Sequence, residues 1–317
     1  MRLGALAAVA ALGLGAADAA LAQAQDETLD VTMILYAGEG VPFFEPMELA
    51  AKTAAERNNI NLDIQYARVD QVRQNNLIET ALANQVDGLL VEIWDDTAFD
   101  EILCKAMEEG TPVIGFNIDD SEGAAGTCRL AFIGQDFVET GISIGRRMIA
   151  DHGFGEGDEL YCPVEFPETT YAVKRHEGVQ IALAEVGASC EMVGVSDSLP
   201  DVLTSMTQYL IGNPDIAGII TLGQHPLMMS QQALDEVGMD IPVGGFDVAA
   251  EVLEGIENGR ITATVDQQPY QQGYYAVQQM AHFLRYGILP ADMNTGGSGL
   301  VDKTNYTSAV EWAGIAR

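Results

Sequence analysis

The residues best suited to chemistry lie just after short apolar runs. Phe43 and Phe44 follow the first run, in Gly38-Glu-Gly-Val-Pro-Phe-Phe-Glu-Pro46, and Glu92 and Trp94 follow the third, in Glu92-Ile-Trp-Asp95. Asn117, Gln224, Asp247 and Gln267 follow later ones. Aromatic rings stack on the apolar C–H face of a sugar ring, and carboxylates and carboxamides hold hydroxyl groups, so this set suits non-covalent capture of a polyhydroxylated solute. Each residue also has a plainer reading. The phenylalanines serve equally as core, and Asp95, Asp96 and Thr97 suit helix capping. His225, beside Gln224, reads as structural or capping, because no partners complete a catalytic triad around it.

Reaction signatures are missing. There is no G-x-S-x-G, H-E-x-x-H, Walker loop, G-x-G-x-x-G after a strand, or EF-hand loop, and neither catalysis nor a cofactor or metal is expected. Acids are too widespread to mark a glycosidase pair. The formal net charge of -32 argues against nucleic acid as a partner and against docking on anionic lipid. A repressor is disfavoured by the lack of a basic helix-turn-helix and by an N-terminal export signal.

The N-terminus suggests the compartment. Leu3 to Ala17 is apolar, Arg2 supplies the positive end, and Ala22-Gln-Ala24 has the small-x-small cleavage pattern. This reads as a secretory signal peptide spanning residues 1–24, with an N-terminal membrane anchor as the competing reading. No lipobox is present. Cleavage leaves roughly 290 residues, enough for two ordinary domains in an exported, periplasmic protein. That compartment permits disulfides. Chain order suggests Cys104 with Cys128 and Cys162 with Cys190, one pair per lobe, against the alternative of buried free thiols.

The elements that must position the strand-end residues follow from periodicity. Strands are expected at Val31–Tyr36, Leu62–Tyr66, Leu89–Ile93 and Val113–Phe116, with helical stretches between them; Phe99, Ile102, Leu103, Ala106 and Met107 fit one helix face. The series restarts at Leu160–Val164 and runs through Met192–Val195, Gly218–Leu222, Val243–Phe246 and Ile261–Val265. Two successive α/β sets imply two similar lobes with parallel sheets, whose strand ends would face each other across a cleft. The Gly-rich stretch Thr295–Gly299 reads as a loop.

Across nearly the whole chain beyond the signal peptide, the sequence resembles the ribose-binding-protein-like branch of the class I periplasmic binding proteins. The fragments that carry the resemblance are Pro42-Phe-Phe44, Val86-Asp-Gly-Leu-Leu-Val91, Thr111-Pro-Val-Ile114, Arg175-His-Glu-Gly178, Val243-Gly-Gly-Phe-Asp247, Ala263-Thr-Val-Asp-Gln-Gln-Pro269 and Val301-Asp-Lys-Thr-Asn305, in order. The resemblance implies two Rossmann-like lobes joined by a three-crossing hinge near Gly134-Gln135, Gln267-Gln268 and Pro290. One lobe would comprise residues 25–134 plus 268–290, the other 135–267 plus 291–317. It implies a monomeric carrier that closes over a sugar or polyol-like ligand and delivers it to an ABC permease of the inner membrane; a sensor presenting its closed form to a chemoreceptor or kinase is the alternative. By position, Phe43, Phe44, Glu92, Asn117, Gln224, Asp247 and Gln267 fall where the family contacts its ligand. The sequence departs from the ribose pattern at Val41, at Asn117-Ile118 in place of an Asp-Arg pair, and at Val173 in place of a clamping arginine, although Arg175 remains. Loss of two guanidinium forks points away from ribose toward another sugar, a polyol or a more apolar small molecule.

Overall fold

A computed structural model describes residues 27–297 and 299–317; segment 1–24, expected from the sequence to be a signal peptide, lies outside the described residues. Two six-stranded sheets form the framework. The first has the order β11-β5-β4-β3-β1-β2. It comprises β1 (Leu29–Leu35), β2 (Ile60–Tyr66), β3 (Gly88–Val91), β4 (Val113–Asn117), β5 (Ala131–Gly134) and β11 (Met293–Asn294). The second has the order β12-β10-β9-β8-β6-β7. Its strands are β6 (Glu159–Val164), β7 (Ser189–Gly194), β8 (Gly218–Ile220), β9 (Val243–Phe246), β10 (Ala263–Val265) and β12 (Leu300–Asp302). Their pairings are parallel except β10 with β12. β3, β4, β8, β9 and β10 are buried throughout, which is why they read as unbroken apolar runs rather than alternating ones.

Helices cover both sheets. In the first lobe these are α1 (Glu45–Arg57), α2 (Gln71–Ala83), α3 (Asp100–Glu108) and the short α4 (Ala124–Thr127); in the second they are α5 (Phe137–His152), α6 (Thr170–Ala184), α7 (Leu199–Gly212), α8 (Gln224–Val237) and α9 (Ala250–Asn258). α10 (Pro269–Tyr286) returns to the first lobe and lies along α1, and α11 (Thr307–Val310) follows β12. β5 and α5 are missing from the periodic reading; for β5 the reason is that Ala131-Phe-Ile-Gly134 is only four residues long and gives little pattern.

The chain passes between sheets three times: after β5, after β10, and again after β11. Residues 293–294 pair with Ile133 and Gly134 in the first sheet, so the last passage falls after Asn294 and not near Pro290. The Gly-rich stretch is therefore flanked by a strand of each sheet. Cys104 is bonded to Cys128 in the first lobe and Cys162 to Cys190 in the second. Among the described residues, no helix is long and apolar enough to cross a membrane.

Candidate ligand-binding cleft

The carboxyl ends of both sheets open onto a cavity of about 330 Å³ between the lobes, within the range of small-molecule sites. The lobes touch beside it: Thr170 donates from its backbone N–H (3.3 Å) and its hydroxyl (3.2 Å) to the Trp94 carbonyl, and the same hydroxyl lies 3.2 Å from Asp96 Oδ1. Of the residues singled out in the sequence, Phe43, Phe44, Asn117, Gln224, Asp247 and Gln267 line this cavity.

Glu92 and Trp94 do not line it. β3 ends at Val91, and both side chains turn into the first lobe behind the cavity wall. Glu92 is fully buried; its Oε2 accepts from the Tyr36 backbone N–H and its Oε1 from Asn117 Nδ2, both at 2.5 Å. Burial pushes its carboxyl up to about 8 despite those two donors. Trp94 donates from Nε1 to Gln74 Oε1 (2.7 Å), and Gln74 Nε2 donates to the Glu92 carbonyl (2.7 Å). Its ring packs at 6.4 Å from Tyr36 and 5.7 Å from Phe99, supporting the wall instead of presenting a stacking face to the cavity.

Several lining residues escaped the sequence reading. Tyr36 stands at the end of β1; Glu165, Phe166 and Tyr171 lie after β6; Phe137 opens α5. Tyr36 meets Phe44, Phe166 and Tyr171 at centroid distances of 5.8, 6.4 and 6.4 Å, so aromatic rings from both lobes close around one space.

Arg175 is the main correction. Val173, where the clamping arginine was expected, is solvent-exposed, whereas Arg175 is buried and lines the cavity. Residues two apart on a helix point to different faces, while Tyr171 and Arg175, four apart, share one. The Arg175 guanidinium lies over Phe246 (4.3 Å), Phe137 and Tyr171 (5.0 Å each), donates from Nη1 to the Leu222 carbonyl (2.6 Å), and faces Asp247 Oδ2 at 3.6 Å, an ion pair longer than a hydrogen bond. Close helix packing holds it there. A Cβ on Gly178 of α6 would stand 2.2 Å from the Val138 carbonyl, and one on Gly141 of α5 would stand 2.4 Å from the Arg175 carbonyl. A guanidinium is thus present in the cleft, contrary to the expected loss of both forks.

Asp247 follows β9 with φ 78, and Asn117 ends β4 with φ 58. Both take the left-handed conformation that Asn and Asp tolerate best. The two strands hold equivalent places in their sheets, so each lobe turns one polar side chain inward in the same way. Asp247 Oδ1 accepts from Gln267 Nε2 (2.5 Å); burial raises its carboxyl, opposed by Arg175 and Gln267. Glu165 Oε1 accepts from the His225 backbone N–H (2.8 Å) at the start of α8. Burial raises Glu165 too, opposed by His225. Any side chain at Gly223 would collide with Glu165, since a Cβ there would sit 1.8 Å from its Oε2.

Glu165 Oε2, Gln224 Oε1, Gln267 Oε1, His225 Nδ1 and Arg175 Nε have no hydrogen-bond partner among the described residues. Buried polar atoms are ordinarily paired, so a set of such atoms around one cavity marks where a ligand's polar groups complete the bonding.

The family model for the periplasmic binding protein domain matches residues 31–287. The chain is 26% identical over 238 residues to the ribose import binding protein RbsB of Bacillus subtilis (strain 168), covering 75% of this chain and 76% of that protein. It is 24% identical over 275 residues to the xylose/arabinose-binding protein XylF of Sulfolobus acidocaldarius, covering 80% and 67%. Among solved structures, a carbohydrate transporter from Acidothermus cellulolyticus 11B in complex with myo-inositol superposes with a TM-score of 0.82 at 27% identity, covering 91% of this chain and all of that one.

Proposed function

The chain belongs to the periplasmic binding protein family, with the class I fold, and we propose that it is the solute-binding component of an ABC importer, taking a sugar or polyol between its lobes. The observation that carries this reading is the inter-lobe cavity, walled by aromatic rings and edged by polar atoms that lack a hydrogen bond among the described residues. Rings supply apolar contact to C–H faces, and the polar atoms meet hydroxyls. The relatives named above are a ribose import protein and a pentose-binding protein, which favours delivery to a permease over sensing. In this reading the protein works in the periplasm and binds without chemistry. Closure over the ligand is a population shift whose closed form the permease reads.

The test is a thermal-shift screen on protein freed of carried-over ligand by unfolding and oxidative refolding. The panel contains D-ribose, D-xylose, L-arabinose, D-galactose and myo-inositol, with amino derivatives of the last two. A true ligand at about a hundred times its Kd adds about 2.7 kcal/mol to stability, and a rise of several degrees in Tm is expected. A flat response to every compound, from protein that refolds cooperatively, would sink the proposal.

A further inference from the structure

The contact between the lobes at the cleft rim is a helix cap. α6 starts at Thr170 without a side-chain cap from its own lobe, because the Thr169 hydroxyl donates to the Phe166 carbonyl (2.7 Å), and its first turn carries no acid. A helix start has N–H groups with no intrahelical acceptor and a partial positive charge. The first lobe answers both. The Trp94 carbonyl accepts from the Thr170 N–H (3.3 Å), and the Thr170 hydroxyl lies 3.2 Å from both that carbonyl and Asp96 Oδ1. Carbonyl and carboxylate only accept, so the hydroxyl is the donor and shares its one hydrogen between them. Asp96, suited by its sequence position to capping, thus caps a helix of the other lobe.

Both acceptors are held by their own lobe. Trp94 is fixed through Nε1 to Gln74, Asp95 Oδ1 accepts from the Thr97 and Ala98 N–H groups (3.0 and 2.9 Å), and Asp96 accepts from the Ser121 N–H (3.0 Å) and hydroxyl. Trp94, Asp96 and Thr170 do not line the ligand cavity. Parting the lobes here by about 1 Å breaks the cap, since a hydrogen bond is gone by about 3.6 Å. Beside it, Tyr36 of the first lobe meets Phe166 and Tyr171 of the second. All these contacts join protein to protein and need no ligand. We propose that Asp96 and Thr170 are positioning residues: by capping α6 across the cleft they hold the lobes closed in the free protein, and so gate entry and release of the solute without touching it. The ligand deepens a bias that is already there. This rests on the two-lobed binding reading above and extends it.

The experiment has two arms. The first is stopped-flow binding of whichever sugars of the thermal-shift panel bind. Thr170→Val keeps the shape and the backbone N–H and removes the hydroxyl. A solute that enters and leaves through the open form should then associate and dissociate about fivefold faster, the worth of a helix cap, while Kd changes by less than about twofold. A cavity-wall residue would instead raise release and Kd together. Thr170→Ser, which keeps the hydroxyl, should stay within about twofold of the native rates. Release that does not speed up, or speeds up with a matching rise in Kd, overturns the proposal. The second arm needs no sugar and leaves the second lobe unchanged. In ligand-free Asp96→Ala, hydrogen exchange at the Thr170 amide should be about fivefold faster than in the native protein, with Val179 of the same helix unaffected. Equal exchange at Thr170 overturns the proposal. Faster exchange in a protein that binds no sugar leaves the cross-lobe cap standing and removes the sugar reading alone.

Discussion

The two lobes build the same topology and contribute differently to the cleft. The first lobe spends its polar groups on itself. Glu92, Asn117, Gln74 and Trp94 form a closed relay behind the wall, and Tyr36, Phe43 and Phe44 present rings to the space in front of it. The second lobe leaves polar groups unfinished. Arg175, Asp247, Gln267, Gln224 and Glu165 are held in place by protein contacts yet keep unpaired atoms or weakly satisfied charges. The difference teaches a division of labour: one lobe fixes shape, and the other supplies the groups that discriminate. The second lobe should therefore be the one whose substitutions cost most.

Arg175→Met is the strongest way to break that contrast. It strands a buried carboxylate at Asp247 with only Gln267 to hold it, and breaking a buried pair costs about 3–5 kcal/mol. Urea denaturation at pH 7 should show a loss of that order. Adding Asp247→Asn should restore at least half of it, because no unpaired charge then remains. A single-variant loss below about 1 kcal/mol would mean that the second lobe does not hold this pair as charges.

The two disulfides allow a sharper comparison, one in each lobe. Their sequence separations are 24 and 28 residues, so chain entropy assigns each about 3 kcal/mol, nearly equal. Their surroundings differ. Cys162 and Cys190 link β6 and β7, which are already paired over six residues, while Cys128 follows α4, a helix of only four residues. Replacing either pair by serine should lower global stability by similar amounts. Hydrogen exchange should then separate them, with the backbone around α4 losing protection while the β6–β7 ladder keeps it. Equal local loosening in both lobes would remove the distinction.

How much of this was legible in the sequence follows the physics of each signal. Fully buried parallel strands and amphipathic helices gave the two-set pattern, and the rule that parallel sheets offer their carboxyl ends to ligands led to Phe43, Phe44, Asn117, Gln224, Asp247 and Gln267. Glu92 and Trp94 obey the same rule by position, yet they turn inward. Chain position after a strand says nothing about which way a loop residue points. Glu165 satisfies the rule fully, one residue past β6, but a chain this rich in acids hides any single acid. Arg175 required helix phase: its four-residue spacing from Tyr171 was visible, and the glycine contacts that press α6 onto α5 were not.

A pH series tests the first lobe's closed relay. Burial moves Glu92 from its usual 4.5 to about 8. Between those limits the folded protein holds a proton that the unfolded chain releases. The unfolded state therefore binds fewer protons, and stability falls as pH rises, by at most about 1.4 kcal/mol per pH unit, levelling off above the folded value. Glu92→Gln keeps the shape and does not titrate. Its amide oxygen still accepts from the Tyr36 N–H, and Asn117 needs only to rotate its carboxamide to accept from the new nitrogen. The variant should thus gain on the native protein between pH 5 and pH 8, with the two converging at the acid end, where Glu92 is protonated in both states. Urea midpoints for both proteins across that range supply the measurement, and the other acids cancel because both chains carry them. A difference that stays flat with pH would mean that Tyr36 and Asn117 hold Glu92 as a full carboxylate. The first lobe would then store charge as the second does, and the contrast between the lobes would fail at its least exposed point.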